Sequence, residues 1–335
     1  MLAALEGKPA LYHCISRAVW QEMVFGPEEK EHFVMLLRRW EAFSQVRVLT
    51  FCIMTNHFHI LVEVPERPKK DPSDEELLEH LGLIYRGQRL AMIRWTLENF
   101  RAQGNHKAAE ALRQRILRRM WDLSRFMKAL KQDYTVWWNK RHKKRGNLWE
   151  ERFKSVLVED GHAARIVAAY IDLNPVRAGI VKTPEDYRWS GYGEARAGKV
   201  KARGGIRQVM LERELACANA EAALDAVADW RQVLKAYRAI LLADAEMRSG
   251  ALSASQAGER VPPGRRSRFS EGELLQRRVR YFVDGMVIGS KGFVDDVFVL
   301  TREWFASGRR NGARRLPGAE TPLHAMRALR VDPYG

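Results

Sequence analysis

Two runs of strand-forming residues stand back to back in this chain, separated only by Asn56, and they predict a β-hairpin over residues 46–55 and 57–64. The second run opens with His57, Phe58 and His59. Successive side chains of a strand point to opposite faces, so both imidazoles share one face and Phe58 takes the other. Two such imidazoles can hold a divalent metal, although a His-x-His pair is common by chance and needs further ligands.

A second segment supplies candidates for those further groups. Residues 161–173 predict a helix that ends near Pro175, because proline disfavours helical geometry in the residue before it. Tyr170 and Asn174 are four residues apart, so they lie on one helix face or at its last turn. Tyrosine offers a phenolic nucleophile and asparagine offers a hard oxygen ligand. The alternative is that Tyr170 is an ordinary helix aromatic packed on a sheet.

The order of the predicted elements favours the α+β class. They are a strand over 11–20, a helix over 27–43, the hairpin, a helix over about 121–139, a strand over 148–159 and the helix over 161–173. This β-α-β-β-α-β-α order predicts a ferredoxin-like sandwich, with an antiparallel sheet, helices on one face and the histidine pair on the sheet.

The charge of the chain favours a nucleic-acid partner. It carries 57 Lys and Arg against 41 Asp and Glu, a formal net charge of +16, and such a balance suits binding to polyphosphates. Basic residues with tryptophans between them crowd the end of the helix over 121–139 and the segment after it. Those that we predict to bind DNA are Lys131, Lys140, Arg141, Lys143, Lys144, Arg145, Trp149, Arg152 and Lys154. The alternative is that the tryptophans are core residues and the lysines are merely solvated.

The chain is long enough for more than one unit. We place a catalytic domain in residues 1–198, with a charged helical insertion over about 66–118, and a mostly helical C-terminal region in residues 199–335. The elements predicted in that region are a basic linker over 198–207, a helix over 209–247, a mobile stretch over 249–268, and helices over 270–283 and 291–306 that allow a helix–turn–helix. The region is either a second DNA contact or a small domain that only stabilises the first.

The three cysteines are widely spaced and form no C-x-x-C pair, which argues against a structural zinc site and a disulfide framework. The first residues lack a signal-peptide core, and no apolar run is long enough to span a bilayer. We therefore expect a soluble protein of the cytoplasm with no membrane partner.

Four segments together resemble a known family. They are MTNHFHILVE at 54–63, RGNLWEERFK at 145–154, YIDLNPVRAG at 170–179 and DYRWSGY at 186–192. In this order they are similar to the HUH single-strand transposases of the IS200/IS605 type, and most of all to the branch of REP-associated tyrosine transposases. The resemblance covers roughly residues 10–65 and 120–195.

The resemblance implies a fold, a site and an activity. The fold would be that of HUH endonucleases, with Mg²⁺ or Mn²⁺ bound by His57, His59 and Asn174. Tyr170 would attack a phosphate of single-stranded DNA that carries hairpins, forming a 5′-phosphotyrosine and leaving a free 3′-OH. The protein would be a bacterial, nucleoid-associated transposase, with monomer and homodimer both open.

Two other functions share these features. A relaxase or rolling-circle replication initiator also uses a histidine pair and a tyrosine, but the sequence context 174–179 argues against it. A protein that grips palindromic DNA without cutting it is a different class, and the presence of His57, His59 and Tyr170 argues against that reading.

Overall fold

The computed structural model describes residues 9–19, 23–211, 229–255, 270–316 and 318–326. Its centre is a four-stranded antiparallel sheet with the spatial order β2-β3-β1-β4. The strands are β1 (Ala10–Arg17), β2 (Arg47–Ile53), β3 (His57–Val64) and β4 (Lys154–Val158). This is the order of a ferredoxin-like sheet, so the α+β class that the sequence predicts is confirmed.

Helices cover both faces of this sheet. On one face, α1 (Pro27–Ser44) and α5 (Leu123–His142) pack over Phe58 and the other side chains that point with it. On the opposite face lies α6 (His162–Asp172), over the side chains that alternate with Phe58. The sequence predicted helices on one face only. Because α6 follows β4 and packs on the other side, the histidine face is covered rather than open.

The strand predicted from residue 148 begins only at Lys154, and a loop precedes it. The Asn147 side chain braces this loop. Its amide nitrogen donates to the carbonyl of Trp149 and its oxygen accepts from the Trp149 amide, at 2.6 and 3.3 Å. Within this loop Trp149 still pairs with Ala18 of the neighbouring chain segment, through the Leu148 carbonyl and the Glu150 amide, which bond Val19 and Arg17 at 3.0 and 3.1 Å.

The predicted insertion is helical, and its last helix is bonded back to its first residues. It consists of α2 (Asp74–Gly82), α3 (Gln88–Ala102) and α4 (His106–Leu117). Ser73 and Glu76 form a capping box at the first helix, which satisfies two backbone donors. Arg113 then pairs with Asp74 and donates to the carbonyl of Pro72 at 2.6 Å.

Residues 198–207, predicted as a linker, belong mostly to a helix. After α7 (Asn174–Arg177) and α8 (Gly191–Arg196), α9 (Val200–Met210) packs on β2 with Ala202, Ile206 and Val209 buried. Gly205 lies against the Leu49 carbonyl, where a Cβ atom would collide. This glycine of the predicted linker therefore permits close packing of a helix on the sheet.

The C-terminal region contributes short strands as well as helices. Its helices are α10 (Trp230–Ser255), α11 (Glu271–Gln276), α12 (Arg280–Asp284) and α13 (Lys291–Leu300). Its strands are β5 (Val287–Gly289), β6 (Arg314–Arg315) and β7 (His324–Ala325), and they extend the sheet beyond β4 in the order β5-β7-β6.

The structure corrects some of the predictions for this region, and others fall on residues that it does not describe. The helix predicted over 270–283 is broken between α11 and α12, and β5 lies between α12 and α13, so no helix–turn–helix forms there. Helix α10 runs through the first part of the stretch 249–268 that was predicted to be mobile. The rest of that stretch, and residues 212–228 of the helix predicted over 209–247, lie outside the described residues. Within the described ranges, no helix combines the length and apolarity needed to cross a membrane.

Candidate active site

Three histidines, rather than two, share the face of the sheet under α6. The register pairs His57 with Arg17, His59 with Ile15, and Leu61 with His13, so all of these side chains point the same way. The ring centroids of His57 and His59 are 5.1 Å apart, and those of His59 and His13 are also 5.1 Å apart. His13 was not assigned a role from the sequence, because only strand pairing brings it to the pair.

Hydrogen bonds hold the Nδ1 atoms of these rings. His57 Nδ1 lies 2.6 Å from the side-chain oxygen of Asn56, and His59 Nδ1 lies 2.9 Å from Nε2 of His13. An amide oxygen only accepts, so His57 donates from Nδ1 and keeps the lone pair of Nε2 for a ligand. Metal-bound histidines commonly hold their second nitrogen in this way.

Burial keeps these rings neutral. It lowers the pKa of His57 to about 4, and the nearby Arg17 and Arg278 guanidinium groups act in the same direction. Burial also lowers the pKa of His59 well below its ordinary value, assisted by the neighbouring His13 and His57 rings. The neutral imidazole is the form that binds metals, so both rings are in the required state near neutral pH.

Tyr170 lies on the sheet side of α6 and faces the histidines. Its ring centroid is 6.4 Å from that of His59 and 6.3 Å from that of His13, with the rings nearly perpendicular. The guanidinium of Arg177 covers the Tyr170 ring at 3.9 Å and donates to the Tyr170 carbonyl at 2.7 Å. The side chain is only 2% exposed. The fold therefore brings together Tyr170 and His59, which are far apart in the sequence.

Asn174 begins α7 one turn after the tyrosine. Its amide nitrogen donates to the carbonyls of Tyr170 and Ile171 at 3.3 and 3.1 Å, which leaves Oδ1 as the atom available to a ligand. The described residues contain no cluster of three or more His, Cys, Asp or Glu side chains suited to a metal. A metal on the histidine pair would therefore draw its other ligands from an amide such as Asn174, from water or from a substrate.

The C-terminal end of α6 is fixed by a residue that the sequence did not single out. Asp172 is fully buried and accepts from the Thr50 hydroxyl at 2.9 Å, from the Tyr237 hydroxyl at 2.7 Å and from the Tyr192 amide at 3.2 Å. Burial raises the pKa of this carboxyl to about 7 against the effect of the three donors. Asp172 thus connects the tyrosine helix to β2, α8 and α10.

A groove of about 940 Å³ runs between α5 and the loop before β4. Its lining includes the cations Arg125, Lys128, Lys131 and Arg152. The loop adjoins the histidine end of the sheet, because the Glu150 amide donates to the carbonyl of Arg17 at 3.1 Å and Arg17 pairs with His57. The groove therefore lies at the same end of the sheet as His57, on the side that α5 covers.

The residues predicted to bind DNA lie in different environments. Lys131 and Trp149 are buried: the Lys131 ammonium donates to the Glu151 carbonyl at 2.9 Å, and the Trp149 indole donates to the Thr135 hydroxyl at 2.8 Å. Both residues nevertheless belong to the lining of the groove beside α5. The exposed members are Lys140, Arg141, Lys143, Lys144, Arg145, Arg152 and Lys154.

Arg141 and Lys154 are exposed cations that already have acidic partners. Arg141 pairs with Glu28 and with Glu29 at the start of α1. Lys154 pairs with Asp284 at 2.9 Å and lies on the histidine face, opposite Ile15. A phosphate that reached these cations would compete with carboxylates for them.

Comparison with known proteins gives a loose likeness to a solved structure. No family model matches the chain, and no curated protein matches it. A solved structure described as a REP-associated tyrosine transposase bound to a REP hairpin is 12% identical, with a TM-score of 0.37. The match covers 59% of this chain and 84% of that chain. At this TM-score the likeness does not transfer residue roles from one chain to the other.

Proposed function

We propose that this protein cleaves and rejoins single-stranded DNA at hairpins through a covalent tyrosine intermediate. The observation that carries the proposal is the position of Tyr170, which α6 holds over the histidine face with its ring 6.4 Å from that of His59. The sequence segments that resemble the HUH transposases supply both groups. A nucleophile beside a pair of neutral imidazoles is an arrangement that suits metal-assisted phosphoryl transfer.

The residues present fit a divalent metal. His57 and His59 are neutral, His57 keeps Nε2 unprotonated, and Asn174 offers Oδ1, so these three residues would hold Mg²⁺ or Mn²⁺. When bound, the ion would polarise a phosphate oxygen and stabilise the negative charge that develops during displacement.

The covalent step is a displacement at phosphorus. The Tyr170 phenolic oxygen forms a bond to the phosphorus, its proton leaves, and the bond from phosphorus to the 3′ oxygen breaks. That oxygen takes up a proton and becomes the free 3′-OH, while the 5′ phosphate stays on the tyrosine. Attack by a 3′-OH on the phosphotyrosine reverses the step and rejoins DNA without an external energy source.

Cations near the site favour a phosphate there. Arg17 pairs with His57 across β1 and β3, and Arg278 lies close enough to lower the pKa of His57. Arg177 covers the tyrosine ring. These three groups would attract the scissile phosphate and its neighbours along the strand.

The burial of Tyr170 gives weight to a second candidate, a protein that binds palindromic DNA without cutting it. With 2% of the side chain exposed, the hydroxyl must become accessible before it can attack a phosphate. A test must therefore separate DNA binding from formation of the covalent bond.

The test uses a labelled single-stranded oligonucleotide with palindromes taken from beside the protein's own gene, incubated with Mg²⁺ or Mn²⁺. We expect a protein–DNA adduct that survives denaturant, is lost with a chelator and is missing in Tyr170→Phe. The matched control is Tyr187→Phe, which removes another buried hydroxyl, bonded to the Ile53 carbonyl at 2.6 Å. Tight binding without an adduct in the wild type would instead establish the binding-only protein.

A further inference from the structure

We propose that His13 is a positioning residue for His59. We also propose that the backbone carbonyl of Phe282, in the C-terminal region, fixes the orientation and the tautomer of the His13 ring. The inference rests on the proposed function only in taking His59 as a metal ligand. The hydrogen bonds themselves form one relay, from the Phe282 carbonyl to His13 Nδ1 and from His13 Nε2 to His59 Nδ1, at 2.7 and 2.9 Å.

The relay determines which nitrogen of each ring carries the proton. A carbonyl oxygen only accepts, so His13 must donate from Nδ1. His13 is fully buried, and burial of an unpaired charge is costly, so the ring is neutral and its Nε2 is an acceptor. His59 must then donate from Nδ1. Its Nε2 is left with a free lone pair, which is the atom a metal would bind.

Phe282 also contacts the other half of the site. Its ring packs on that of Tyr170 with the centroids 5.0 Å apart and nearly perpendicular. Phe282 thus orients the His13 ring through its backbone carbonyl and packs against Tyr170, the proposed nucleophile, through its side chain. Arg177 adds a second link between these parts, since it donates to the Tyr170 carbonyl and to the Leu275 carbonyl of α11 at 2.7 and 2.8 Å.

The consequence is that the catalytic unit does not end near residue 198. Segment 271–284 comes more than a hundred residues after Tyr170 in the sequence, yet it supplies the first acceptor of the relay. Without His13, the His59 Nδ1–H would lose its partner. The ring could then rotate or move its proton to Nε2, and either change removes the metal-binding lone pair from its place.

Two measurements on the full-length protein test this. The first is Mn²⁺ affinity by electron paramagnetic resonance in wild type, His13→Phe and His13→Gln. We expect His13→Phe to weaken binding about 10–100-fold. Glutamine carries both a donor and an acceptor, so His13→Gln should recover most of the affinity. The control is His32→Phe, a histidine on α1 stacked on Trp137, which should bind Mn²⁺ as the wild type does.

The second measurement is the tautomer of His59 in metal-free protein, from ¹⁵N spectra assigned with a His59 variant. We expect the Nδ1–H form in the wild type and its loss in His13→Phe. A folded His13→Phe protein with wild-type Mn²⁺ affinity and an unchanged His59 tautomer would overturn the proposal. If His13→Phe fails to fold, the wild-type spectrum decides, because an Nε2–H form of His59 contradicts the relay.

The two proposals fail in different ways. A wild-type protein that binds no Mn²⁺ and forms no DNA adduct removes the proposed function, while the tautomer measurement still tests the relay. A protein that forms the adduct but shows an Nε2–H form of His59 removes the relay and leaves the proposed function intact.

Discussion

The hydroxyl of Tyr237 donates to a carboxylate oxygen of Asp172 across 2.7 Å, and this bond joins α10 to the C-terminal end of the tyrosine helix. Both groups are fully buried. Asp172 stands midway between Tyr170 and Asn174 in the sequence, so whatever fixes its carboxylate also fixes the helix that presents these two residues. The C-terminal region therefore stabilises the candidate site as well as completing the sheet.

Removal of the Tyr237 hydroxyl should destabilise the fold. Tyr237→Phe leaves the buried Asp172 carboxylate with one donor fewer, and a hydrogen bond to a charged group contributes about 1.5–3 kcal/mol. We expect a loss of that size in the free energy of unfolding, measured by urea denaturation above pH 7, where the Asp172 carboxyl, with its pKa raised to about 7 by burial, is ionised. The control is Tyr192→Phe, whose hydroxyl donates at 3.2 Å to the less buried Glu185, and which should lose less. Equal losses in the two variants would show that the hydrogen bond from Tyr237 to Asp172 stabilises the fold no more than the bond from Tyr192 to Glu185.

The ammonium of Lys131 should make stability depend on alkaline pH. Burial lowers its pKa to about 8 in the folded protein, against about 10.4 in an unfolded chain. Between these values the unfolded state binds more protons, so stability increases with pH across this window. A pKa difference of about two units between the folded and unfolded states changes the free energy of unfolding by about 3 kcal/mol at most.

That dependence is isolated by comparing the wild type with Lys131→Met in urea from about pH 7 to about pH 10. The wild type should gain stability relative to this variant as the pH rises. Lys128→Met, an exposed lysine of the same helix, should instead run parallel to the wild type. Parallel curves for Lys131→Met would mean that the buried ammonium keeps an ordinary pKa.

The features of the fold and site that could be predicted from the sequence are those that relate residues close together along the chain. The alternation of a strand places His57 and His59 on one face, and the four-residue spacing of a helix relates Tyr170 to Asn174. The partners of these residues follow no local rule. His13 and His59 are separated by 46 positions, Thr50 and Asp172 by 122, and His13 and Phe282 by 269.

Trp149 shows why the sequence could not separate a DNA-stacking aromatic from a core aromatic. Both occur beside lysines in a basic segment, and both leave the indole N–H in need of an acceptor. Here the acceptor is the Thr135 hydroxyl on α5, and the ring packs with Phe25, Phe58 and Tyr134. The choice depends on how α5 packs against the loop before β4, which is a tertiary relationship.

Asn56 should affect metal affinity without being a ligand. It accepts the hydrogen bond of His57 Nδ1 at 2.6 Å and so keeps Nε2 of that ring unprotonated. Loss of such a partner commonly weakens metal binding about 10–100-fold. We expect Asn56→Ala to bind Mn²⁺ more weakly by that factor in calorimetric titration, and Asn56→Asp to bind at least as well as the wild type. Unchanged affinity in Asn56→Ala would remove Asn56 from the site.

The groove beside α5 should bind the DNA backbone. Lys128 and Arg152 line it, and the loop that carries Arg152 leads to the histidine end of the sheet. If each cation neutralises one phosphate of a single strand, replacing both by alanine should reduce the slope of log affinity against log salt concentration by about 1.4. The measurement is fluorescence anisotropy of a labelled oligonucleotide at several salt concentrations, without metal.

A charge-matched control separates the groove from net charge. Lys107→Ala with Arg118→Ala removes two exposed cations from the helical insertion, at the two ends of α4. If DNA follows the groove, this control keeps the wild-type salt slope although its net charge equals that of the groove variant. Equal loss of slope in both variants would mean that the chain attracts DNA only through its overall charge. A loss of slope in the insertion variant alone would indicate that the DNA binds along α4 instead.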